Sequence, residues 1–296
     1  MALALAILPN FVLIALGFLL SRRFDYGRDF WEGLEKLVYY VLFPALLFRS
    51  LAVAQLDFSR TGLLLALACA FTVAGMLLAL PVGRLFKLER AVSASGFQCA
   101  FRFNTYIGLA LAGSLFGQPA VAAAAILLGV MIPLVNLAAV AMLASGSDRG
   151  FLRELVRNPL IISTVTGFAW NVAGLPLPAF ADHTLNLLAQ TALPAGLLSV
   201  GAALRIERGD GHAGAHAYWL TVKLVALPLI ALGLVRAFAL TGVDAAVLVL
   251  LASLPTASSA YILAARMGAD GRTAATQITV GTLLSMATIP FWMALL

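Results

Sequence analysis

This sequence has little charge. Only 11 % of its 296 residues are Asp, Glu, Lys or Arg, and 62 % are hydrophobic; a soluble domain carries about 25 % charged residues. Too little polar surface remains to cover an apolar interior, which excludes a disordered chain, a disulfide scaffold and a water-soluble enzyme alike. The two cysteines, Cys69 and Cys99, fall inside apolar runs, so they imply neither a disulfide framework nor a thiolate metal site. The three histidines, His183, His212 and His216, fall at loops or helix ends and lend little support to a proton relay. No acid stands in the middle of an apolar run, since Glu89, Asp244 and Asp270 are all at run ends. An intramembrane enzyme would need paired acids, a Ser/His pair or a metal cluster at reaction depth, and none is offered.

What is present is a series of ten apolar stretches, at about 2–20, 30–52, 61–83, 91–117, 119–145, 158–175, 183–204, 214–240, 243–268 and 273–295. Each approaches or exceeds the roughly 20 residues that cross a bilayer as a helix. Their apolar character is continuous rather than alternating, so a membrane barrel is not implied. The first stretch lacks a basic segment before it and is followed by Arg22 and Arg23, which reads as a retained helix and not a signal peptide. The longest hydrophilic interval, Ser145–Arg157, reads as a short linker with an interfacial helix around Phe151, Leu152 and Leu155.

Of nineteen Lys and Arg residues, thirteen lie in the odd-numbered loops: Arg22, Arg23, Arg28, Arg84, Lys87, Arg90, Arg149, Arg153, Arg157, Arg205, Arg208, Arg266 and Arg272. Lys36 is on that side as well, with Arg49, Arg60 and Arg236 near the opposite ends. Positive loops stay in the cytoplasm, so both termini are expected outside. The net charge of +6 then reports topology, and no nucleic acid partner is implied.

The halves resemble each other at a constant spacing. Gly17-Phe18 answers Gly167-Phe168 and Pro44-Ala45 answers Pro194-Ala195, both at 150, while Thr105 answers Thr256 and Gly117 answers Gly268 at 151. Five spans per half is an odd number, so the second half enters the membrane inverted, as in many secondary transporters. The expected organisation is a first repeat over 1–145, a linker over 146–157 and a second repeat over 158–296.

Carriers of this plan bind cargo near the midplane, where paired helices are interrupted. In the ninth stretch Ser253-Leu-Pro255-Thr256-Ala-Ser258-Ser259 sets a proline, which breaks or kinks a helix, among hydroxyls. The fourth carries Arg102-Phe-Asn104-Thr105-Tyr106 at its centre. Arg102 and Lys223 are cations inside apolar runs, each costing about 2.5–3.5 kcal/mol on insertion scales. Each is either bonded to backbone or drawing an anion into a cavity. Asn136 and Gln277 either line the same cavity or bond between helices. Pro44 and Pro194 have purely apolar surroundings and read as packing kinks.

The chain resembles the short bacterial branch of the auxin efflux carrier family over nearly its whole length. The resemblance rests on Leu37-Val-Tyr-Tyr-Val-Leu-Phe-Pro44-Ala-Leu-Leu-Phe, on Phe103-Asn104-Thr105-Tyr106-Ile-Gly108, on Asn158-Pro159-Leu-Ile-Ile and on Leu254-Pro255-Thr256-Ala-Ser258-Ser259-Ala-Tyr261. It implies an all-α polytopic membrane protein of ten transmembrane helices in two inverted five-helix repeats, similar in fold to bile acid:sodium symporters. Helices 4 and 9 would be interrupted and cross at the cargo site. Helices 1, 2, 6 and 7 would form a scaffold, often dimeric, and helices 3–5 and 8–10 a transport domain moving like an elevator in the inner membrane. The cargo implied is a small organic anion, an auxin-like monocarboxylate or a malonate- or malate-like dicarboxylate. Carried onto this chain, the crossover positions are Asn104 and Pro255, with Thr105, Thr256, Ser258 and Ser259 beside them; the charge and polarity of Arg102, Tyr106, Asn136 and Lys223 add these to the expected binding residues. Plant-type members have proline at both crossovers, whereas helix 4 here has Phe103-Asn104. No cofactor is expected. Coupling to Na+ or H+, a bile acid-symporter-like sodium mechanism, and a channel or non-transporting sensor all stay open.

Overall fold

The computed structural model describes residues 2–24, 26–54, 58–143, 158–205 and 211–296. The linker 146–157, with its expected interfacial helix and Arg149, Arg153 and Arg157, lies outside these, as does Arg208. Every regular element among the described residues is helical. In chain order they are α1 (Ala2–Arg23), α2 (Arg28–Leu37), a π turn (Val38–Leu42), α3 (Phe43–Ala52), α4 (Phe58–Ala79), α5 (Val82–Leu85), α6 (Arg90–Cys99) and α7 (Thr105–Leu143). After the linker come α8 (Pro159–Val172), α9 (Ala179–Ala203), α10 (Ala213–Thr221), a second π turn (Val222–Ala226), α11 (Leu227–Ala237), α12 (Gly242–Ser253), α13 (Ser259–Arg266) and α14 (Gly271–Met293).

Among the described residues, five helical segments are by themselves long and apolar enough to cross a bilayer: Thr61–Leu85, Thr105–Leu143, Ala179–Ala203, Ala213–Ala237 and Gly271–Met293. The shorter Pro159–Val172 and Gly242–Ser253 are also apolar. At 39 residues α7 is nearly twice a single crossing, and it bends at Gly117, whose φ of 73° and ψ of −166° are not helical. A φ of that sign strains any residue with a Cβ, which is why glycine stands there. Gly268, its counterpart at the repeat spacing, has a φ of 69°.

Chain contacts divide the protein into two compact units. The first comprises Met1–Thr61, Leu109–Val130 and Arg149–Ala203; the second comprises Gly62–Gly108, Met131–Asp148 and Leu204–Leu296. In the first, α1 packs on α9, and α3 packs on α8 and α9. Asn158 caps α8, its side-chain oxygen accepting from the amides of Leu160 and Ile161, and Pro159 stands where a missing amide costs nothing. At the other end of α8, Asn171 Nδ2 donates to the carbonyls of Ala52 (3.2 Å) and Ala54 (2.7 Å), where α3 runs out of its own donors. Arg49 reaches Asp182 through Nε (2.7 Å) and Nη2 (3.3 Å), a two-point ion pair between α3 and α9.

Both π turns end just before a proline. Proline lacks an amide and its ring collides with the carbonyl four residues back, so the chain widens by one residue per turn ahead of Pro44 and Pro228. The amides of Phe43 and Leu227 donate five residues back, to Val38 and Val222. In the second unit the carbonyl orphaned by Pro228 is that of Leu224, and Trp292 Nε1 on α14 donates to it at 2.8 Å. Trp292→Phe leaves that buried oxygen unpaired. We expect a loss of about 1–3 kcal/mol of stability, measured as thermal unfolding in detergent against the wild type.

Candidate functional site: two broken helices joined at their breaks

The site lies within the second unit and is built from backbone that cannot complete its own hydrogen bonds. Between α12 and α13, Leu254 is extended (φ −63°, ψ 144°), as the residue before a proline must be when the α region is closed to it. Pro255 then interrupts the ladder, and α13 starts at Ser259. Between α6 and α7 there is no proline, yet residues 102–104 are non-helical. Here Asn104 starts a new helix: its Oδ1 accepts from the amides of Tyr106 (3.1 Å) and Ile107 (3.2 Å), the arrangement that makes asparagine a good first cap. Its own backbone amide donates to Pro255 O at 2.8 Å. The proline on one break thus supplies the acceptor that holds open the other.

Two further bonds join the breaks. Thr256 Oγ1 donates to Cys99 O at 2.7 Å, occupying a carbonyl at the C-terminal end of α6. Gln98 Nε2 donates to Ala260 O at 3.1 Å. Gln98, Cys99, Asn104, Ile107, Pro255, Thr256 and Ala260 are buried, Tyr106, Ala257 and Ser258 are half-buried, and Ser259 is exposed.

Both cations flagged in the sequence stand at this site. Arg102, 7 % exposed, donates from Nη1 to Gln98 Oε1 (3.3 Å) and from Nη2 to Ser259 Oγ (3.1 Å), and so spans the two breaks. Lys223, 1 % exposed, lies in the second π turn and donates from Nζ to Ala252 O at 3.2 Å. Ala252 is in the last turn of α12, where the helix presents free carbonyls and the negative end of its dipole. Lys223 therefore answers backbone rather than any side chain. Among the described residues no Asp or Glu is buried; Glu89 and Asp270 precede the first residues of α6 and α14, and Asp244 sits in the first turn of α12.

Three of the four half-helix ends here carry a side-chain partner: Thr256 on α6, Asn104 on α7 and Lys223 on α12. The N-terminus of α13 has no side-chain cap. Its positive end is beside Arg102, and Asn104 Nδ2, 2 % exposed, has no hydrogen-bond partner. An unpaired buried amide donor costs about 1–3 kcal/mol, a cost that a bound acceptor removes.

Of the residues expected at the site, Arg102, Asn104, Pro255, Thr256 and Ser259 are brought together by direct bonds. Thr105 and Tyr106 form the half-buried first turn of α7, and Ser258 precedes α13. Asn136, half-buried far along α7, makes no hydrogen bond among the described residues and nothing joins it to the crossing. Gln277 bonds between helices, to His216. Gln98 was missed, although a glutamine four residues before an arginine on one helix face is a visible signal.

Interrupted helices joined through their breaks, inside an all-helical protein with several bilayer-length apolar segments, define a multi-pass membrane transporter. The chain belongs to the auxin efflux carrier family: the family model described as membrane transport protein matches residues 3–149 and 146–293. It is 28 % identical to a Rhizobium meliloti protein named "Putative malonate transporter", over 96 % of this chain and 92 % of that one. It is 24 % identical to the Escherichia coli "Uncharacterized transporter YfdV" (97 % and 95 % covered) and 26 % identical to an "Uncharacterized transporter" of Methanothermobacter thermautotrophicus (98 % and 97 %).

Proposed function

We propose that the chain is a carrier for a small dicarboxylate of the malonate or malate kind, held at the crossing of the two broken helices. The observation that carries this reading is the unpartnered donor of Asn104, buried where the ionisable side chains seen bonded into the crossing among the described residues, Arg102 and Lys223, are both basic. A carboxylate satisfies the amide, meets the guanidinium in a charge-assisted bond and takes the free amide end of α13. A second carboxylate supplies further negative charge to a region that, among the described residues, holds two buried basic side chains and no buried acid. The name of the Rhizobium relative supports the same cargo class. Translocation is an elevator-type movement of the unit that bears the crossing, in an inner membrane with both termini outside; the arginine distribution among the loops supports that orientation.

The test is counterflow in liposomes: purified protein, unlabelled malonate inside, labelled malonate outside. Saturable exchange is expected, and Arg102→Gln, which removes one ionic hydrogen bond, should cut it by about 10- to 100-fold at low substrate. Linear, non-saturable flux would identify a pore, and no flux with malonate, malate or a monocarboxylate would remove the cargo class.

A further inference from the structure

The histidines play no part in the crossing, but one of them is built into the same unit in a way that its sequence position conceals. His216 is in the first turn of α10, 7 % exposed, and faces Gln277 of α14, 1 % exposed. Gln277 Nε2 lies 2.8 Å from His216 Nδ1 and 3.1 Å from the His216 carbonyl oxygen. A carbonyl oxygen only accepts, so the amide nitrogen, not its oxygen, must face it. The same nitrogen then donates to Nδ1, which leaves the ring neutral with its proton on Nε2. The backbone carbonyl fixes the amide, and the amide fixes the tautomer.

This arrangement cannot accept a proton unchanged. Protonated Nδ1 would set an N–H donor against an NH2 donor at 2.8 Å, so the bond between α10 and α14 must open or the amide must turn and give up the carbonyl. We propose that His216 is the proton-binding site of this protein, and that proton uptake there releases Gln277 and couples transport to a proton gradient.

Two observations support it. A cavity of about 320 Å³, lined by Glu89, His212, Asp270 and Arg272 among others, lies where α6, α10 and α14 begin. His212 precedes His216 by one helical turn, its carbonyl accepting the His216 amide at 3.0 Å, so the ring is one turn in from a polar cleft. On the other side, one turn further along each helix (about 5.4 Å), are Leu220 and Gly281. A Cβ placed on Gly281 would touch Leu220 Cδ2 at 3.4 Å and Pro255 Cβ at 4.0 Å. The switch thus adjoins the crossing proline. The ring is also in edge-to-face contact with Trp219 of the same helix, centroids 6.0 Å apart. Among the described residues, the ionisable groups on the packed elements are Arg84 on α5, Arg90 and Cys99 on α6, Tyr218 on α10, Lys223 in the π turn and Arg272 on α14, with His212, Glu89 and Asp270 at the helix starts. An anion bound at the crossing favours the proton.

Only the coupling half of this proposal rests on the carrier reading, and the experiment separates the two. In protein labelled with 15N-histidine and placed in nanodiscs, with His216→Gln used to assign the signal, neutral pH should show an unprotonated Nδ1 and a protonated Nε2. Acidification should protonate Nδ1 and shift the Gln277 side-chain amide together with it. In Gln277→Leu, which keeps the imidazole, both neutral tautomers should appear. A proton on Nδ1 at neutral pH, or a Gln277 signal indifferent to His216 protonation, overturns the site. In liposomes, an inward gradient of one pH unit, a tenfold proton ratio, should raise malonate accumulation by about tenfold for one proton per cycle, and the ratio with and without the gradient should fall to one in His216→Gln. An unchanged ratio in the variant overturns the coupling. If the wild type moves no carboxylate, the carrier reading fails and the labelling experiment still decides the proton site.

Discussion

Asn104→Asp is expected to fold as the wild type does and to stop transport. The two atoms of this amide have separate tasks. Oδ1 caps α7 through the amides of Tyr106 and Ile107, and Nδ2 is a buried donor with no partner. Aspartate is an equally good cap and its charge suits a helix N-terminus, so the start of α7 is preserved. What changes is the other atom: a donor becomes an anionic oxygen facing any bound carboxylate. Two like charges about 4 Å apart repel by roughly 4 kcal/mol at an effective dielectric of 20, a loss of several hundredfold or more in cargo affinity. Asn104→Ala reverses the pattern. It loses the cap, worth about 1 kcal/mol, but adds no repulsion, and so costs stability and a smaller share of transport. Thermal unfolding and malonate counterflow on the two variants check both halves. A functional Asn104→Asp would mean that no anion binds beside this residue.

The all-helical fold was legible because apolar runs of bilayer length leave a chain few other choices. The breaks were legible to different degrees. Pro255 announces its own interruption through its missing amide. The break before α7 is not announced by residues 100–104 alone, because its acceptor, Pro255 O, is about 150 residues away in sequence; only Asn104, a poor interior residue and a good cap, hints at it. Lys223 could be read as a bilayer-buried cation but not as the partner of the α12 carbonyls, since that depends on how two helices meet. His216 was the least legible. Its position, one turn into a helix, says nothing of the burial that Gln277, 61 residues further on, gives it.

Gly201→Val should be the most damaging single substitution in the first unit, and Gly17→Val close behind it. The two glycines lock α1 against α9 reciprocally. A Cβ on Gly201 would overlap the carbonyl oxygen of Ile14, and one on Gly17 would overlap that of Leu198. Each glycine faces the carbonyl one turn before the other, so the backbones themselves are in contact, as small residues allow between membrane helices. A collision with a side chain can be relieved by a rotamer change; a collision with backbone separates the helices. Overpacking costs about 1–3 kcal/mol where side chains can yield, and more is expected here, enough to remove the folded species from detergent extracts and all counterflow with it. Gly233→Ala is the control. That glycine is in the middle of α11 with open space around it, and alanine there should raise helix stability by up to about 1 kcal/mol. Size-exclusion profiles and thermal unfolding of the three variants separate the two uses of glycine. If Gly201→Val is as stable as Gly233→Ala, α1 and α9 do not meet through their backbones.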